Sequence, residues 1–265
     1  MQPERIGQDI VAALRFYSRL PIPARRGEAD AFAMPELDRI AYAIPLAGAG
    51  IGLVGALVLV GAVALKLPAF LAAGLAVTAL VLATGAFHED GLADTADGLG
   101  GGRDRAQRLA IMRDSRIGTY GGSALVLALL LRVAALEALV TSAGPFRAAL
   151  ALVAAEAASR AAGVLLLLAL PSARTDGAGA SFGRPSEAAG LACGLVAALL
   201  VAVILVPGFG ISTAFAGLVA PLLALFAMTW ISGRLIGGQT GDVAGATQQV
   251  AVIVFLLGVL IFPGR

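Results

Sequence analysis

The chain has 265 residues, of which 59% are hydrophobic and only 14% are charged, a composition that excludes a disordered chain and indicates an integral membrane protein. The formal net charge of +2 argues against nucleic acid as a partner. One cysteine and one histidine exclude an intrachain disulfide and provide no zinc-binding constellation.

The first predicted element is an amphipathic helix at Ile6–Leu20, where apolar residues are interspersed with charged ones such as Asp9 and Arg15. It ends at the Pro-Ile-Pro sequence of residues 21–23, because proline interrupts a helix. Two placements remain open: the helix lies in the membrane interface, or it packs against the membrane bundle. Residues 24–35 are charged and rich in small side chains, and are predicted to form a loop.

Apolar runs long enough to cross a bilayer fill most of the remaining chain. We expect seven spans, with six or eight as alternatives, because glycine and proline blur the ends of the runs. The predicted fold class is therefore all-α: one polytopic membrane helix bundle of about seven spans, forming a single domain over residues 1–265. The seven runs are Ala41–Leu65, Leu67–Phe87, Thr119–Val140, Phe146–Leu170, Ala188–Val206, Ile211–Ile231 and Ala244–Phe262.

The basic residues are concentrated in polar segments that separate pairs of spans. Of the 19 basic residues, 14 lie in residues 1–40, 88–118, 171–187 and 232–243. Arginine and lysine are enriched on the cytoplasmic side of membrane proteins. We therefore expect the N-terminal segment, residues 1–40, and the polar segment at 88–118 to face the cytoplasm, with only short turns on the opposite side.

The most distinctive segment follows the second apolar run and contains Asp90, Asp94 and Asp97, here called the acidic stripe. On a helix that turns about 100° per residue, these carboxylates fall within roughly 60° of one another, at the end of a membrane span. Crowded carboxylates repel one another, and a divalent cation is the simplest compensation. All-oxygen ligation favours magnesium, which also bridges to phosphate oxygens. The alternative is a solvated helix start whose charges pair with nearby arginines.

The same segment combines arginines and glycines in a way that is typical of a phosphoryl-transfer site. Arginine forks neutralise phosphate charge, and glycines let backbone amides approach anions. Gly121 and Gly122 open a predicted membrane helix, whose N-terminus favours phosphate. The alternative is that the arginines are solvated and the glycines form a flexible joint. The residues are Arg103, Arg105, Arg108, Arg113, Arg116, Gly100, Gly101, Gly102 and Gly118.

Two further sets of polar residues lie near or within the spans. His88 is about 160° from Asp90 on an ideal helix, so it is either structural or turned into the site, and Glu89, also off the stripe, is expected to be solvated. Glu156 and Arg160 are four residues apart within a span. They either satisfy each other or present Arg160 to a polar cavity.

Two polar segments nearer the C-terminus complete the candidates. The segment that starts at Arg174 could reach a substrate, and the glycine-rich turn at 237–242 places Asp242 at a helix entrance. Asp242 either contacts a metal or phosphate, or is stabilised there by the helix dipole. The candidate substrate-binding residues are Arg103, Asp114, Ser115, Gly118, Arg160, Arg174, Thr240 and Asp242.

The order and the amino-acid sequences of these motifs resemble those of the cobalamin synthase family, the adenosylcobinamide-GDP ribazoletransferases. The resemblance rests on HEDGLADTADG at 88–98, RDRAQRLAIMRDSRIGTYG at 103–121 and GGQTGDVAGA at 237–246, with RFYSRLPIP at 15–23 before the first span. It covers almost the whole chain in the same order. The sequence departs from the family pattern at Glu89, where an apolar residue is usual, and this change leaves the acidic stripe intact.

The resemblance implies a magnesium-dependent transferase of the cell inner (cytoplasmic) membrane that completes the nucleotide loop of cobalamin, with residues 88–118 as its catalytic segment. Adenosylcobinamide-GDP and α-ribazole (or its 5′-phosphate) would be the substrates, and adenosylcobalamin (or its phosphate) and GMP the products. The acidic stripe would hold magnesium, while Arg113 and Arg116 stabilise charge on the transferring and leaving groups. One of the acids, or His88, would accept the proton of the nucleophile. Membrane lipid is an expected partner, and a homo-oligomer or a complex with other enzymes of the pathway is left open.

Two other functions compete with this one. CDP-alcohol phosphotransferases also place aspartates at helical spacing near a membrane boundary, but their D-x-x-D-G-x-x-A-R pattern and later aspartate pair are absent from this sequence. An ion-coupled transporter requires polar residues through several spans. Here polarity is concentrated between the spans, with Glu156 and Arg160 as the main exception.

Overall fold

The computed structural model describes residues 3–24, 34–174 and 184–262, which form a bundle of α-helices. Within these ranges no strand forms, and extended pairing is limited to an isolated bridge between Ser172 and Gln239. The all-α prediction is confirmed. The helices are α1 (Pro3–Tyr17), α2 (Leu37–Ile40), α3 (Ile44–Ala64), α4 (Ala69–Thr84), α5 (Phe87–Gly101), α6 (Arg105–Ile111), α7 (Thr119–Ala143), α8 (Pro145–Ala169), α9 (Glu187–Phe209), α10 (Ile211–Ile236) and α11 (Gly241–Ile261).

Six helical segments of the described chain are each long and apolar enough to cross a membrane. They are α7 to α11 and the segment Leu37–Ala64, in which a 3-10 turn at Ala41–Ala43 joins α2 to α3. The remaining predicted span, Leu67–Phe87, corresponds to α4, which meets the same criterion only together with α5. Six candidate spans, or seven if α4 and α5 are counted as one bent pair, agree with the prediction of about seven.

The acidic stripe does not continue the membrane span before it, and this part of the prediction is wrong. α5 follows α4 after a sharp break and lies at 90° to it. The break uses two left-handed residues, Gly85 with φ of 64° and Ala86 with φ of 57°. Because this conformation costs an alanine roughly 1–2 kcal/mol, surrounding contacts must hold it. The Arg19 amide donates to the Ala83 carbonyl at 2.7 Å, and the Arg19 side chain covers Gly85.

The N-terminal helix α1 packs against the bundle, which decides between the two placements that the sequence leaves open. Ala13 is fully buried among the first residues of α2 and α3. Asp9, only 3% exposed, accepts a hydrogen bond from the Tyr42 hydroxyl at 2.8 Å and pairs with Arg39 at 3.1 Å. α1 is therefore tied to the first span by both apolar and polar contacts.

The helix α8 lies at the centre of the bundle, with 18 of its 25 residues buried. Small residues allow neighbouring backbones to approach it closely, as is common between membrane helices. A Cβ on Gly48 of α3 would lie 2.5 Å from the Glu156 carbonyl oxygen, and one on Gly163 would lie 3.2 Å from the Ala244 carbonyl oxygen of α11. This close packing places Glu156 and Arg160 deep inside the bundle.

The polar segments between the spans meet at one end of the bundle. The Asp38 carboxylate accepts a hydrogen bond from the Ser186 amide at 2.7 Å, which joins the segments before α3 and α9. Residues 171–173, after α8, and Gln239, between α10 and α11, exchange two backbone hydrogen bonds of 2.8 Å. We call this pairing the backbone clasp. Arg25–Arg26, which belong to the same predicted polar face, lie outside the described residues.

The orientation of this polar end can be tested by cysteine labelling in a Cys193→Ala background. Cysteines at Arg103 and Gln107, both exposed at the polar end, should react with a membrane-impermeant maleimide only from the cytoplasmic side, because arginine-rich segments stay there. Cysteines at Lys66 and Phe146, exposed at the other end, should react only from outside. Labelling of Arg103→Cys from outside alone would place the acidic stripe in the other compartment and favour a transporter.

Candidate active site

The acidic stripe lies along α5, and each aspartate has a different environment. Asp90 is exposed, Asp94 is half-buried and Asp97 is buried. All three fall within the same helix, so the helical spacing read from the sequence is confirmed. α5 packs against the start of α11 so closely that a Cβ on Gly91 would lie 2.8 Å from the carbonyl oxygen of Asp242.

Asp97 links α5 to the first turn of α7. One of its carboxylate oxygens accepts a hydrogen bond from the Gly118 amide at 2.7 Å, and the other accepts one from the Gly121 amide at 2.8 Å. A Cβ on Gly121 would overlap the Asp97 carboxylate, so glycine is required for this approach. The N-terminus of α7, where the sequence suggests phosphate, is therefore filled by a carboxylate of the protein itself. Both carboxylate oxygens of Asp97 are therefore engaged by backbone amides. Direct metal ligation by Asp97 is not tested by these contacts and stays a prediction.

Asp242 lies beside the stripe at the start of α11. Its Oδ2 pairs with Arg174 Nη1 at 3.1 Å and accepts a hydrogen bond from the Thr240 hydroxyl at 3.2 Å. The backbone clasp brings these residues together, and it has no room for a side chain at Gly238, where a Cβ would overlap a backbone carbonyl. The structure thus groups three predicted substrate-binding residues next to the stripe. Asp176, which follows Arg174 in the same segment, lies outside the described residues.

Two of the five clustered arginines hold helix α6 in place. Arg105 Nη2 donates to the Ala173 carbonyl at 3.2 Å, and Arg108 Nη1 donates to the Leu235 carbonyl at 3.0 Å. These bonds attach α6 to the backbone clasp and to the end of α10. The sequence pattern places both among phosphate-binding arginines, whereas the structure gives them an anchoring role.

The loop between α6 and α7 is exposed at the polar end. The Arg116 side chain, 87% exposed, forms a two-point contact with Asp114: Nη2 to Oδ2 at 2.6 Å and Nε to Oδ1 at 3.0 Å. These hydrogen bonds lower the pKa of the Asp114 carboxyl to about 2. Arg103, Arg113 and Ser115 are exposed as well. These predicted residues are therefore accessible to a substrate that reaches the polar end.

The carboxylates around Asp94 make this part of the surface favourable for a cation. Asp94 is repelled by Asp90 and Asp242 and attracted by Arg174. Within the described parts of the chain, no three His, Cys, Asp or Glu side chains are arranged to enclose a metal ion. Magnesium does not require such an enclosure, because one or two carboxylates, waters and substrate phosphates commonly complete its coordination. Asp90 and Asp94, one helical turn apart and open to solvent, fit that mode of binding.

His88 and Arg160 face the interior of the bundle rather than the stripe. His88 is 3% exposed, its ring stacks on Tyr17 with centroids 5.6 Å apart, and no described atom is hydrogen-bonded to its Nε2. Arg160 is 1% exposed and pairs with Glu156, but its Nε and Nη2 have no hydrogen-bond partner among the described atoms. The pair also lines a small polar cavity inside the bundle, so both features of the two alternatives are observed. The structure therefore does not bring His88 or Arg160 together with the residues of the polar end.

Glu89 is buried, and the expectation that it is solvated is wrong. Its Oε1 accepts hydrogen bonds from Arg132 at 2.9 Å and from the Gln249 amide at 3.0 Å. Sequence reasoning missed Arg132, which is 2% exposed and also reaches Glu156 at 3.2 Å. The sequence did contain a signal for Arg132, because an arginine within an apolar span must find a buried partner.

Comparison with known proteins agrees with the resemblance in the motifs. A family model described as cobalamin-5-phosphate synthase matches residues 9–260. Adenosylcobinamide-GDP ribazoletransferase of Xanthobacter autotrophicus is 87% identical over 265 residues, which is 100% of both chains. Proteins of the same name from Azorhizobium caulinodans and Rhizobium etli are 60% and 45% identical, over 99% and 94% of this chain and 98% and 94% of their own.

No solved structure matches the chain significantly. The family model covers nearly the whole sequence, and the relatives align from end to end rather than over the polar motifs alone. The resemblance is therefore confirmed, and the chain belongs to the cobalamin-5-phosphate synthase family.

Proposed function

We propose that this protein is a membrane transferase that joins adenosylcobinamide-GDP to α-ribazole, or to α-ribazole 5′-phosphate, and releases GMP. The products are adenosylcobalamin or its 5′-phosphate. The observation that carries the proposal is full-length identity of up to 87% to proteins named adenosylcobinamide-GDP ribazoletransferase. The acidic and arginine-rich polar end of the bundle suits a diphosphate substrate.

The reaction exchanges one phosphorus–oxygen bond for another. A ribose hydroxyl oxygen bonds to the phosphorus on the cobinamide side of the diphosphate, the bond from that phosphorus to the bridging oxygen breaks, and GMP leaves. In α-ribazole 5′-phosphate the 5′-oxygen already carries phosphate, so the attacking hydroxyl lies elsewhere on the ribose. The hydroxyl proton must pass to a base. Such a transfer depends mainly on positioning and on neutralising charge.

We assign the binding of magnesium to Asp90 and Asp94, whose oxygens are open to solvent on one side of α5. When bound, magnesium neutralises charge on the diphosphate oxygens. Asp97 holds α5 against α7 through the Gly118 and Gly121 amides, which keeps the other two aspartates in place. In this assignment the three aspartates still act together, but Asp90 and Asp94 bind the cation and Asp97 holds the helix in place.

The remaining roles follow from exposure and charge. Arg113 and Arg116 lie on the exposed loop, where the Arg116 fork can exchange Asp114 for a phosphate group. An acid of the polar end is the better proton acceptor, because His88 is only 3% exposed and faces away from the stripe. Arg174, already paired with Asp242, orients that carboxylate.

We also propose that the polar end faces the cytoplasm and that membrane lipid surrounds the spans. Arginine-rich segments support the orientation. Large apolar side chains that remain exposed on α3, α7, α9 and α10 support contact with lipid chains. A homo-oligomer, or a complex with other enzymes of cobalamin assembly, stays a prediction.

A direct assay tests the proposed reaction. Purified full-length protein in lipid nanodiscs, given adenosylcobinamide-GDP, α-ribazole and magnesium, should release GMP in step with formation of adenosylcobalamin. Omission of α-ribazole should abolish GMP release, since the ribose hydroxyl is the nucleophile. Release of CMP from a CDP-alcohol substrate, or ion flux into vesicles without any GMP release, would replace this proposal with one of its competitors.

Replacement of Arg116 should slow the transfer without unfolding the protein. Arg116→Ala is expected to lower kcat by roughly tenfold to a hundredfold, less than the ~10³-fold that a fully desolvated arginine can supply, because Arg116 is exposed and screened. Arg116→Lys should restore activity only in part, since lysine lacks the planar fork. Steady-state GMP release at saturating substrate measures the effect. An unchanged kcat in Arg116→Ala would mean that this arginine serves only as a surface charge.

A further inference from the structure

Four charged side chains lie inside the bundle, on the side of α5 that faces away from the polar end. Glu89, Arg132, Glu156 and Arg160 are each at most 7% exposed. Two acids and two arginines give this buried charge cluster a formal charge of zero. A single unpaired charge among membrane helices is costly, so the four must be considered as one unit.

Arg132 connects the cluster to three other helices. From α7 its Nη1 donates to Glu89 Oε1 of α5 at 2.9 Å and to Gln249 Oε1 of α11 at 3.1 Å. Its Nη2 donates to Glu156 Oε1 of α8 at 3.2 Å. The first turn of α5 is thereby attached through one guanidinium to α7, α8 and α11, all of which are membrane spans.

The attachment also determines which side of α5 faces outward. Glu89 directly precedes Asp90, and neighbouring residues on a helix point about 100° apart. With Glu89 held inside, Asp90 and Asp94 are turned toward the solvent. At the other end of α5, Asp97 is held by the amides of α7. The helix is therefore fixed at two points, and the two open aspartates lie between them.

The cluster is poorly explained as a source of stability alone. Among the described atoms, Glu89 Oε2, His88 Nε2 and both Nε and Nη2 of Arg160 are buried without a hydrogen-bond partner. A buried ion pair with unmet hydrogen bonds is often no more stable than apolar residues of the same volume. A cluster of this kind does, however, specify one arrangement of the helices, because rotation of α5 would separate Glu89 from Arg132.

We propose that Arg132 and Glu89 are positioning residues for the transfer reaction: together they set the rotation of α5 and so place the Asp90 and Asp94 carboxylates against the cation and the diphosphate. The inference rests on the proposed function for the reaction step, but not for cation binding. Residues that orient the ligands of a metal commonly change its affinity by about 10- to 100-fold when they are replaced.

The test uses the neutral double variant Glu89→Gln/Arg132→Met, which removes the contact between residues 89 and 132 and leaves the Glu156–Arg160 pair intact. Full-length protein in nanodiscs is titrated with Mn²⁺ alone, observed by electron paramagnetic resonance, and assayed for kcat and KM. We expect a Mn²⁺ Kd at least about tenfold higher and a kcat at least about tenfold lower, with thermal stability and the KM for α-ribazole close to wild type. The control Tyr42→Phe, which removes a hydrogen bond to Asp9 that involves none of the four charged residues of the cluster, should change none of these values.

Each outcome decides the inference. Wild-type Mn²⁺ affinity and kcat in the double variant would overturn it, and so would losses that merely match a lower folded fraction. If the double variant does not fold, Arg132→Lys is measured in the same way. Lysine keeps the charge but lacks the fork that reaches Glu89 and Glu156 together, so wild-type Mn²⁺ affinity in this variant is the contradicting result. If wild-type protein binds Mn²⁺ but releases no GMP, the proposed function fails while the Mn²⁺ titrations still judge the positioning role.

Discussion

Asp94→Asn is expected to lower the rate of GMP release by about 10²–10³-fold, the usual cost of losing one preorganised electrostatic contact. Asp94 lies half-buried at the centre of the acidic stripe, among Asp90, Asp242 and Arg174. Asparagine has the same size, so packing should persist, but the site loses a charge that favours a cation. Rates measured over a magnesium titration should show both a lower maximum and a higher half-saturating concentration.

The matched control for this prediction is Glu137→Gln. Glu137 lies near the opposite end of α7, where its carboxylate accepts a hydrogen bond from the Thr141 hydroxyl at 3.2 Å. Glu137→Gln removes one carboxylate charge, as Asp94→Asn does, but at a position remote from the site. The rate of GMP release of this variant should therefore stay within twofold of wild type. A near-normal rate for Asp94→Asn at low magnesium would show that the stripe does not bind the cation through this residue.

Arg132→Met as a single change should destabilise the protein strongly. It leaves Glu89 and Glu156 buried with only Arg160 to compensate them, and removing one partner of a buried pair costs about 3–5 kcal/mol. Thermal unfolding in nanodiscs, followed by circular dichroism or by the loss of monodisperse protein, should show a large decrease in Tm and poor recovery from membranes.

Addition of Glu89→Gln to Arg132→Met should restore most of that stability. The second change returns the buried charge cluster to a formal charge of zero, and the glutamine can still hydrogen-bond to Gln249. If the single variant Arg132→Met is as stable as wild type, Glu89 and Glu156 are not both ionised inside the bundle. Lack of rescue by Glu89→Gln would point to lost packing rather than lost charge compensation.

Much of the fold could be predicted from local sequence patterns. The apolar runs predict spans because backbone polar groups must be satisfied within each helix in lipid. The spacing of Asp90, Asp94 and Asp97 predicts one helical face, and α5 contains all three. The alternation of basic and apolar segments predicts that the polar segments gather at one end, where Asp38 meets Ser186 and the backbone clasp forms.

The break before α5 was less accessible from the sequence. An alanine in the left-handed conformation at 86 has no local signature, since alanine favours a right-handed helix. The turn forms because Arg19 and the packing of α5 against α11 hold it. Long-range contacts therefore decided that the acidic stripe lies on a separate helix, at 90° to the span before it.

The division of roles within the site also depended on contacts between distant segments. Arg105 and Arg108 resemble phosphate-binding arginines in sequence but donate to backbone carbonyls 68 and 127 residues away. Asp97 resembles its two neighbours on the stripe but accepts hydrogen bonds from amides 21 and 24 residues later. Residue type and spacing cannot distinguish these roles, because the partners are brought close only by packing.

The sequence by itself determined the membrane class, the helical spans, the acidic stripe and the family, because each depends on composition, periodicity or motif order along the chain. The tertiary structure decided which polar groups meet. It turned Glu89 inward to Arg132 and left Asp90 outside, although the two acids are neighbours in sequence. The physical reason is that a buried charge needs an opposite charge within a few ångströms, and the partner that satisfies it lies 43 residues away on another helix.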